Sequence, residues 1–86
     1  MKKTVLIVED DLDIQDYYTF LLSGLDIRVL KAKNGKEAFS IIDSKETIDL
    51  ILLDIIMPVM DGEEFFKRLR LDRKSDISVI FCSVDE

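Results

Sequence analysis

The sequence predicts an α/β fold in which helices cover both faces of a doubly wound parallel sheet. Strand-like and helix-like patterns alternate along all 86 residues, which is typical of successive βαβ units. The apolar runs at residues 4–8, 50–53 and 77–82 do not alternate with polar residues, as expected for strands buried on both faces. We therefore expect parallel strands joined by crossover helices.

The first predicted strand, residues 4–8, leads into a helix that Asp11 or Asp13 can cap. Gly24 is placed to end this helix. Apolar residues at helical spacing predict its buried face, which comprises Ile14, Tyr17, Tyr18, Leu21 and Leu22. The second strand, residues 27–32, contains two basic residues, so we expect it at an edge of the sheet.

A turn at Asn34-Gly35 is predicted to lead into the second helix. The third strand, residues 50–53, is followed by Asp54, and a third helix begins near Gly62. The apolar faces of these two helices are Ala38, Phe39, Ile41 and Ile42 in the second, and Phe65, Phe66 and Leu69 in the third. The last predicted strand spans residues 77–82.

Composition excludes several classes of protein. The net charge of −6 argues against nucleic-acid binding, which needs clustered basic residues. No segment reaches membrane-spanning length, and the apolar run after Lys3 is too short for a signal peptide. The single Cys82 cannot form an internal disulfide, and we interpret it as a core residue. We expect one cytoplasmic domain over residues 1–86.

Acidic residues end two of the predicted strands. Asp54 follows one apolar strand, and Glu9, Asp10 and Asp11 follow another. Because the carboxyl ends of parallel strands meet at one edge of the sheet, we expect these carboxylates to converge. They would repel one another unless a cation lay between them. An all-oxygen cluster suits a hard divalent ion, so we predict Mg²⁺, with Mn²⁺ as the alternative.

Acids at these positions also have simpler interpretations. Asp54 alone could merely cap the next turn. A functional role is favoured by its combination with Pro58, which would fix the following loop, and Gly62, which would free its backbone. The acidic pair that ends another strand favours the same role. We interpret Asp11 and Asp13 as acids that stabilise a helix N-terminus. An EF-hand starting at Asp11 is excluded, because Asp16 occupies its glycine position and Leu22 occupies its bidentate glutamate position.

Three segments together closely resemble a response-regulator receiver domain: residues 5–11, residues 54–62 and Ser83 after the last strand. The resemblance spans the whole chain in the same order and spacing. It implies a flavodoxin-like sheet with strand order 2-1-3-4. With right-handed crossovers, the first helix would lie on one face of that sheet and the other two on the opposite face.

The resemblance also implies roles for individual residues. Asp54 would be the phosphoacceptor, and Ser83 would hydrogen-bond the phosphoryl group. Asp10 would be the direct Mg²⁺ ligand and Glu9 a ligand through water. The backbone carbonyl of Ile56 would be a further metal contact.

The implied function is that of a phosphoacceptor in a two-component system. A sensor histidine kinase or a phosphotransfer protein would donate a phosphoryl group to Asp54, and the domain would switch a downstream partner or output domain. No independent enzyme activity is expected beyond Mg²⁺-dependent self-phosphorylation and dephosphorylation at Asp54. A haloacid-dehalogenase-like phosphatase is disfavoured, because that family needs an acid where this chain has Ile56.

Family landmarks are missing from residues 1–86, namely the lysine of a fifth strand and the closing helix, strand and helix. We therefore expect an incomplete fold of four strands and three helices, poorly phosphorylated without that lysine. The alternative function is a truncated or degenerate receiver that acts as an interaction module. An exposed fourth-strand edge or an uncovered sheet face would also favour a homodimer.

Overall fold

The structure, a computed structural model, describes residues 2–44, 46–55 and 60–82. The elements follow in the predicted order: β1 (Lys3–Val8), α1 (Leu12–Leu22), β2 (Ile27–Ala32), α2 (Gly35–Asp43), β3 (Leu50–Asp54), α3 (Gly62–Leu71) and β4 (Ser78–Cys82). Within the described residues, the strands form one parallel sheet in the order β2-β1-β3-β4. The predicted α/β fold, its strand order and the edge position of β2 are confirmed.

Side-chain caps set the beginning of each helix. Asp11 accepts hydrogen bonds of 2.9 and 3.2 Å from backbone N–H groups in the first turn of α1. Asn34 accepts one of 2.9 Å from Glu37 N–H at the start of α2, and Asp61 accepts one of 2.8 Å from Glu64 N–H at the start of α3. Each bond satisfies a donor that the helix itself leaves without a partner.

The main core lies between the sheet and the pair of helices α2 and α3. The rings of Phe39 in α2 and Phe65 in α3 stack with centroids 4.5 Å apart. The buried residues of this cluster are Leu6, Val8, Ala32, Ala38, Phe39, Ile48, Ile51, Leu53, Phe65 and Leu69. The helix α1 lies on the opposite face, where Val5 and Ile7 of β1 are also buried. This packing holds the carboxyl ends of β1 and β3 in place.

The predicted buried face of α1 is wrong in part. Tyr17 is 58 % exposed and Leu21 is 52 % exposed, whereas the polar Gln15 is buried. A helix contacts a flat sheet along a narrow stripe, so its flanking apolar residues need a second element to cover them. No element in the described part of the chain does so, and Ile80 of β4 on the same sheet face is 51 % exposed.

This surface bears on assembly. In the described residues, β3 is the one strand paired with β4, so the other edge of β4 has no strand beside it. Homodimerisation through that edge or through the exposed apolar face of α1 and β4 stays a prediction. The helices that the structure describes include none with the length and apolar character needed to cross a membrane.

Candidate metal centre

Three acidic side chains meet at the carboxyl edge of the sheet. Asp54 is the last residue of β3, while Glu9 and Asp10 directly follow β1. The two strands are neighbours and pair Val8 with Leu53, so Glu9 and Asp54 lie one residue beyond that pair. One carboxylate oxygen from each of the three acids lies within 4.8 Å of the others. The expected convergence is therefore present, although metal binding by these residues stays a prediction.

Glu9 is the most unusual member of the cluster. It is only 3 % exposed, and in the described part of the chain its Oε2 is buried without a hydrogen-bond partner. Burial, followed by hydrogen bonds and repulsion from Asp54 and Asp10, raises the pKa of Glu9 from 4.5 to about 8. Without a cation, Glu9 therefore carries a proton at neutral pH.

This donor set fits a hard divalent cation. The cluster offers carboxylate oxygens, which Mg²⁺ and Mn²⁺ prefer over nitrogen or sulfur. A cation would neutralise the repulsion among the three acids and would give the buried oxygen of Glu9 a partner. Asp10 is exposed, so the ion could enter from solvent on that side and keep part of its water shell.

Backbone contacts hold the turn that carries Glu9 and Asp10. The Glu9 N–H donates to the Ala32 carbonyl at 3.0 Å. The Gln15 side-chain amide donates to the carbonyls of Glu9 and Ala32, each at 3.2 Å. Sequence reasoning missed Gln15 because it considered only apolar residues on the inner stripe of α1. The available signal was a polar residue three positions before Tyr18 and seven before Leu22.

Gly62 supports the site from the side of Asp54. Its N–H donates to the Ile55 carbonyl at 2.7 Å. A Cβ at position 62 would lie 2.5 Å from the Asp54 carbonyl oxygen and 2.7 Å from the Ile55 Cα. None of the described glycines has a positive φ. The expectation that Gly62 frees the backbone is therefore wrong, because this glycine permits a close approach to the end of β3.

Comparison with known proteins identifies the family. The model of the family described as response regulator receiver domain matches residues 5–86. The chain belongs to this family. The receiver domain is thus a component of two-component signalling, and its fold and acidic edge agree with that assignment.

Curated relatives of the receiver domain are longer proteins. It is 36 % identical over 83 residues to the uncharacterized transcriptional regulatory protein YrkP of Bacillus subtilis, an alignment that covers 96 % of this chain and 34 % of that protein. It is 42 % identical over 69 residues to two-component response regulator 24 of Arabidopsis thaliana, covering 80 % and 50 % of the two chains. The receiver domain spans a third to a half of these relatives.

Solved structures share the fold. The Francisella response regulator 1452 receiver domain matches with a TM-score of 0.87 and 30 % identity, covering 99 % of this chain and 69 % of that one. A response regulator receiver protein from Pseudomonas putida matches with a TM-score of 0.90 and 22 % identity, covering 100 % and 71 %. The second similarity shows the fold alone.

Two predicted site residues of the receiver domain lie outside the described residues. These are Ile56, whose carbonyl was expected to contact the metal, and Ser83, whose hydroxyl was expected to contact the phosphoryl group. Pro58 also lies outside them. The last described residue of β4 is Cys82, which pairs with Asp54 in the sheet and is half-buried instead of lying fully in the core.

The close approach of Gly62 predicts a large effect of adding one methyl group. We expect Gly62→Ala to lower the free energy of unfolding by about 2 kcal/mol, because overpacking against backbone atoms cannot be relieved by a rotamer change. Gly24→Ala is the matched control, since a Cβ there would meet nothing within 4 Å. Urea unfolding of both variants measures the difference. Equal stability of the two variants would contradict our account of Gly62.

Proposed function

We propose that this receiver domain accepts a phosphoryl group on Asp54 from the phosphohistidine of a sensor histidine kinase or a phosphotransfer protein. Mg²⁺ bound by Glu9, Asp10 and Asp54 assists, with Mn²⁺ able to replace it. The observation that carries the proposal is the acid cluster at the strand edge, in which a buried oxygen of Glu9 lacks a hydrogen-bond partner among the described residues. Family membership supplies the donor class.

The reaction is nucleophilic substitution at phosphorus. A carboxylate oxygen of Asp54 attacks, a P–O bond forms and the P–N bond of the phosphohistidine breaks, so that its electron pair returns to the histidine nitrogen. A bound divalent cation supplies positive charge that offsets the charge on the carboxylates and on the transferred oxygens. The product is an acyl phosphate at the end of β3.

The chain contributes position and access. Asp54 is only partly exposed and is the last residue of β3, so its direction is set by the sheet. Glu9 would release its proton when a cation bound, and Asp10 is the exposed acid of the cluster, open to an ion from solvent. Ser83 would donate a hydrogen bond to the phosphoryl group and Ile56 would offer its carbonyl to the cation, as the family resemblance implies.

Transfer changes the charge at this edge. A phosphoryl group adds negative charge and strong acceptor oxygens, which can reorganise the neighbouring loops and so alter a partner's binding surface. We propose that this switch acts on a downstream partner or an output domain in the cytoplasm.

A second candidate function is an interaction module without a complete phosphorylation switch. The exposed apolar residues of α1 and β4, including Tyr17, Leu21 and Ile80, favour it. Such a module would bind its partner equally well when Asp54 is replaced by Asn, whereas a phosphorylation switch would not.

Metal binding offers a direct test of the proposed site. We expect Asp10→Asn to weaken Mg²⁺ binding about tenfold, because the amide cannot supply the charge of a carboxylate ligand. Calorimetric titration measures the dissociation constant. Asp26→Asn is the matched control, because Asp26 is exposed and directly precedes β2. It therefore lies at the amino ends of the strands, whereas the acid cluster lies at their carboxyl ends. Equal affinity in wild type and Asp10→Asn would overturn the assignment of Asp10.

A further inference from the structure

The one buried polar side chain of α1, Gln15, is placed against the end of the sheet. It is 5 % exposed, although glutamine usually prefers solvent. Its side-chain nitrogen reaches the carbonyl of Glu9, just after β1, and the carbonyl of Ala32, the last residue of β2. An amide group has two N–H donors, so both hydrogen bonds can form at once.

These bonds close a small network around Glu9. Its N–H donates to the Ala32 carbonyl, and its own carbonyl accepts from Gln15, which also binds Ala32. Both polar groups of the Glu9 backbone are therefore held. The first turn of α1 is bonded to the same segment, because Gln15 N–H donates to the Asp11 carbonyl at 2.9 Å. The residues between β1 and α1 are thus held from both ends.

This network opposes the electrostatics of the site. The acids of the β1–α1 turn lie within 4.8 Å of the carboxylate of Asp54, so repulsion between carboxylates favours movement of that turn away from β3. A turn that moved would have to be brought back whenever a cation bound, and the cost would be subtracted from the binding free energy. A β1–α1 turn that is already held in place therefore has a higher affinity for the cation.

We propose that Gln15 is a positioning residue for the divalent cation site, where it holds the Glu9 backbone and so directs the carboxylates of Glu9 and Asp10. The inference rests on the proposed metal site. Gln15 lies behind the turn and binds backbone carbonyls, so it acts through Glu9 and does not contact the cation.

The test compares Gln15→Met with Thr19→Val. Methionine keeps the length of the side chain and removes both donors. Thr19 is the matched control, because its hydroxyl donates to the Gln15 backbone carbonyl at 2.8 Å within the same helix and has no hydrogen bond to the turn in the described residues. We expect the Mg²⁺ dissociation constant to rise about tenfold in Gln15→Met, as for other residues that orient ligands, and to stay within about twofold in Thr19→Val.

Hydrogen exchange supplies a readout that does not depend on the metal. In the metal-free protein, Gln15→Met should speed exchange of the Glu9 amide about tenfold relative to the amides in the middle of β1, because the turn opens locally. If Gln15→Met speeds exchange of the Glu9 amide and of the β1 amides equally, the role of Gln15 is purely structural and the proposal is overturned. If Gln15→Met lacks a cooperative melt, Gln15→Asn replaces it, since its amide is one methylene too short to reach both carbonyls.

The two proposals fail differently. If wild type shows no saturable Mg²⁺ binding, the metal site of the proposed function is wrong, and the role of Gln15 falls with it. If wild type binds Mg²⁺ and Gln15→Met binds it with unchanged affinity, the metal site stands and only the positioning role is overturned.

Discussion

Asp54→Asn is expected to abolish phosphoryl incorporation completely. Incubation with acetyl phosphate and Mg²⁺ should add one phosphoryl group to the protein that contains this chain, and intact mass measures it. The asparagine amide keeps the shape of the side chain at the end of β3 but is not a nucleophile that can form an acyl phosphate. Chelation of Mg²⁺ should give the same loss in wild type, because the charge on the transferred oxygens is then not offset.

A control variant near the site separates the loss of the nucleophile from the loss of a negative charge. Asp11 lies next to Asp10 but caps α1, and serine is an equally good cap, so Asp11→Ser removes a carboxylate without uncapping the helix. We expect Asp11→Ser to be phosphorylated like wild type. Persistence of the added mass in Asp54→Asn would show that another residue accepts the phosphoryl group.

The metal-free protein should lose stability as the pH rises from about 4.5 to about 8. The folded state raises the pKa of Glu9 from 4.5 to about 8, so in this range folded Glu9 keeps a proton that the unfolded chain has released. Because the unfolded state binds fewer protons, the free energy of unfolding falls with increasing pH. Below this range both states are protonated and above it both are ionised, so the contribution of Glu9 becomes constant.

The expected loss is large for a domain of this size. The rise in the pKa of Glu9 from 4.5 to about 8 corresponds to a loss on the order of 5 kcal/mol, against a total stability of about 5–15 kcal/mol for a typical protein. Urea unfolding in the presence of a chelator, at a series of pH values, measures it. Saturating Mg²⁺ should restore stability at high pH, since the ion binds the folded state in place of the proton.

Glu9→Gln is the matched variant for this experiment. Glutamine is close in shape to the protonated carboxylic acid and does not titrate, so it should be more stable than wild type above pH 8 and should lose most of the pH dependence. The same slope in wild type and Glu9→Gln would show that other groups cause the pH dependence.

Local sequence patterns predicted the secondary structure of this protein, whereas the family resemblance implied the strand order that the sheet has. The apolar runs of β1 and β3 predict buried parallel strands, and the mixed strand with Arg28 and Lys31 predicts the edge position of β2. The sequence predicts Asp11 or Asp13 as the cap of α1, because capping depends on a few neighbouring residues, and Asp11 takes this role in the structure. The acids after β1 and β3 were predicted to meet because parallel strands bring their carboxyl ends together.

The tertiary structure alone decided how these elements contact one another. Apolar periodicity predicted Tyr17 and Leu21 to be buried, but burial depends on whether another element covers them. The burial of Glu9, the hydrogen bonds of Gln15 and the close approach of Gly62 to β3 join residues from separate elements. A pattern within one element carries no information on the distance to another. The sequence by itself therefore determined which residues could form the site, while packing decided which residues hold it in place.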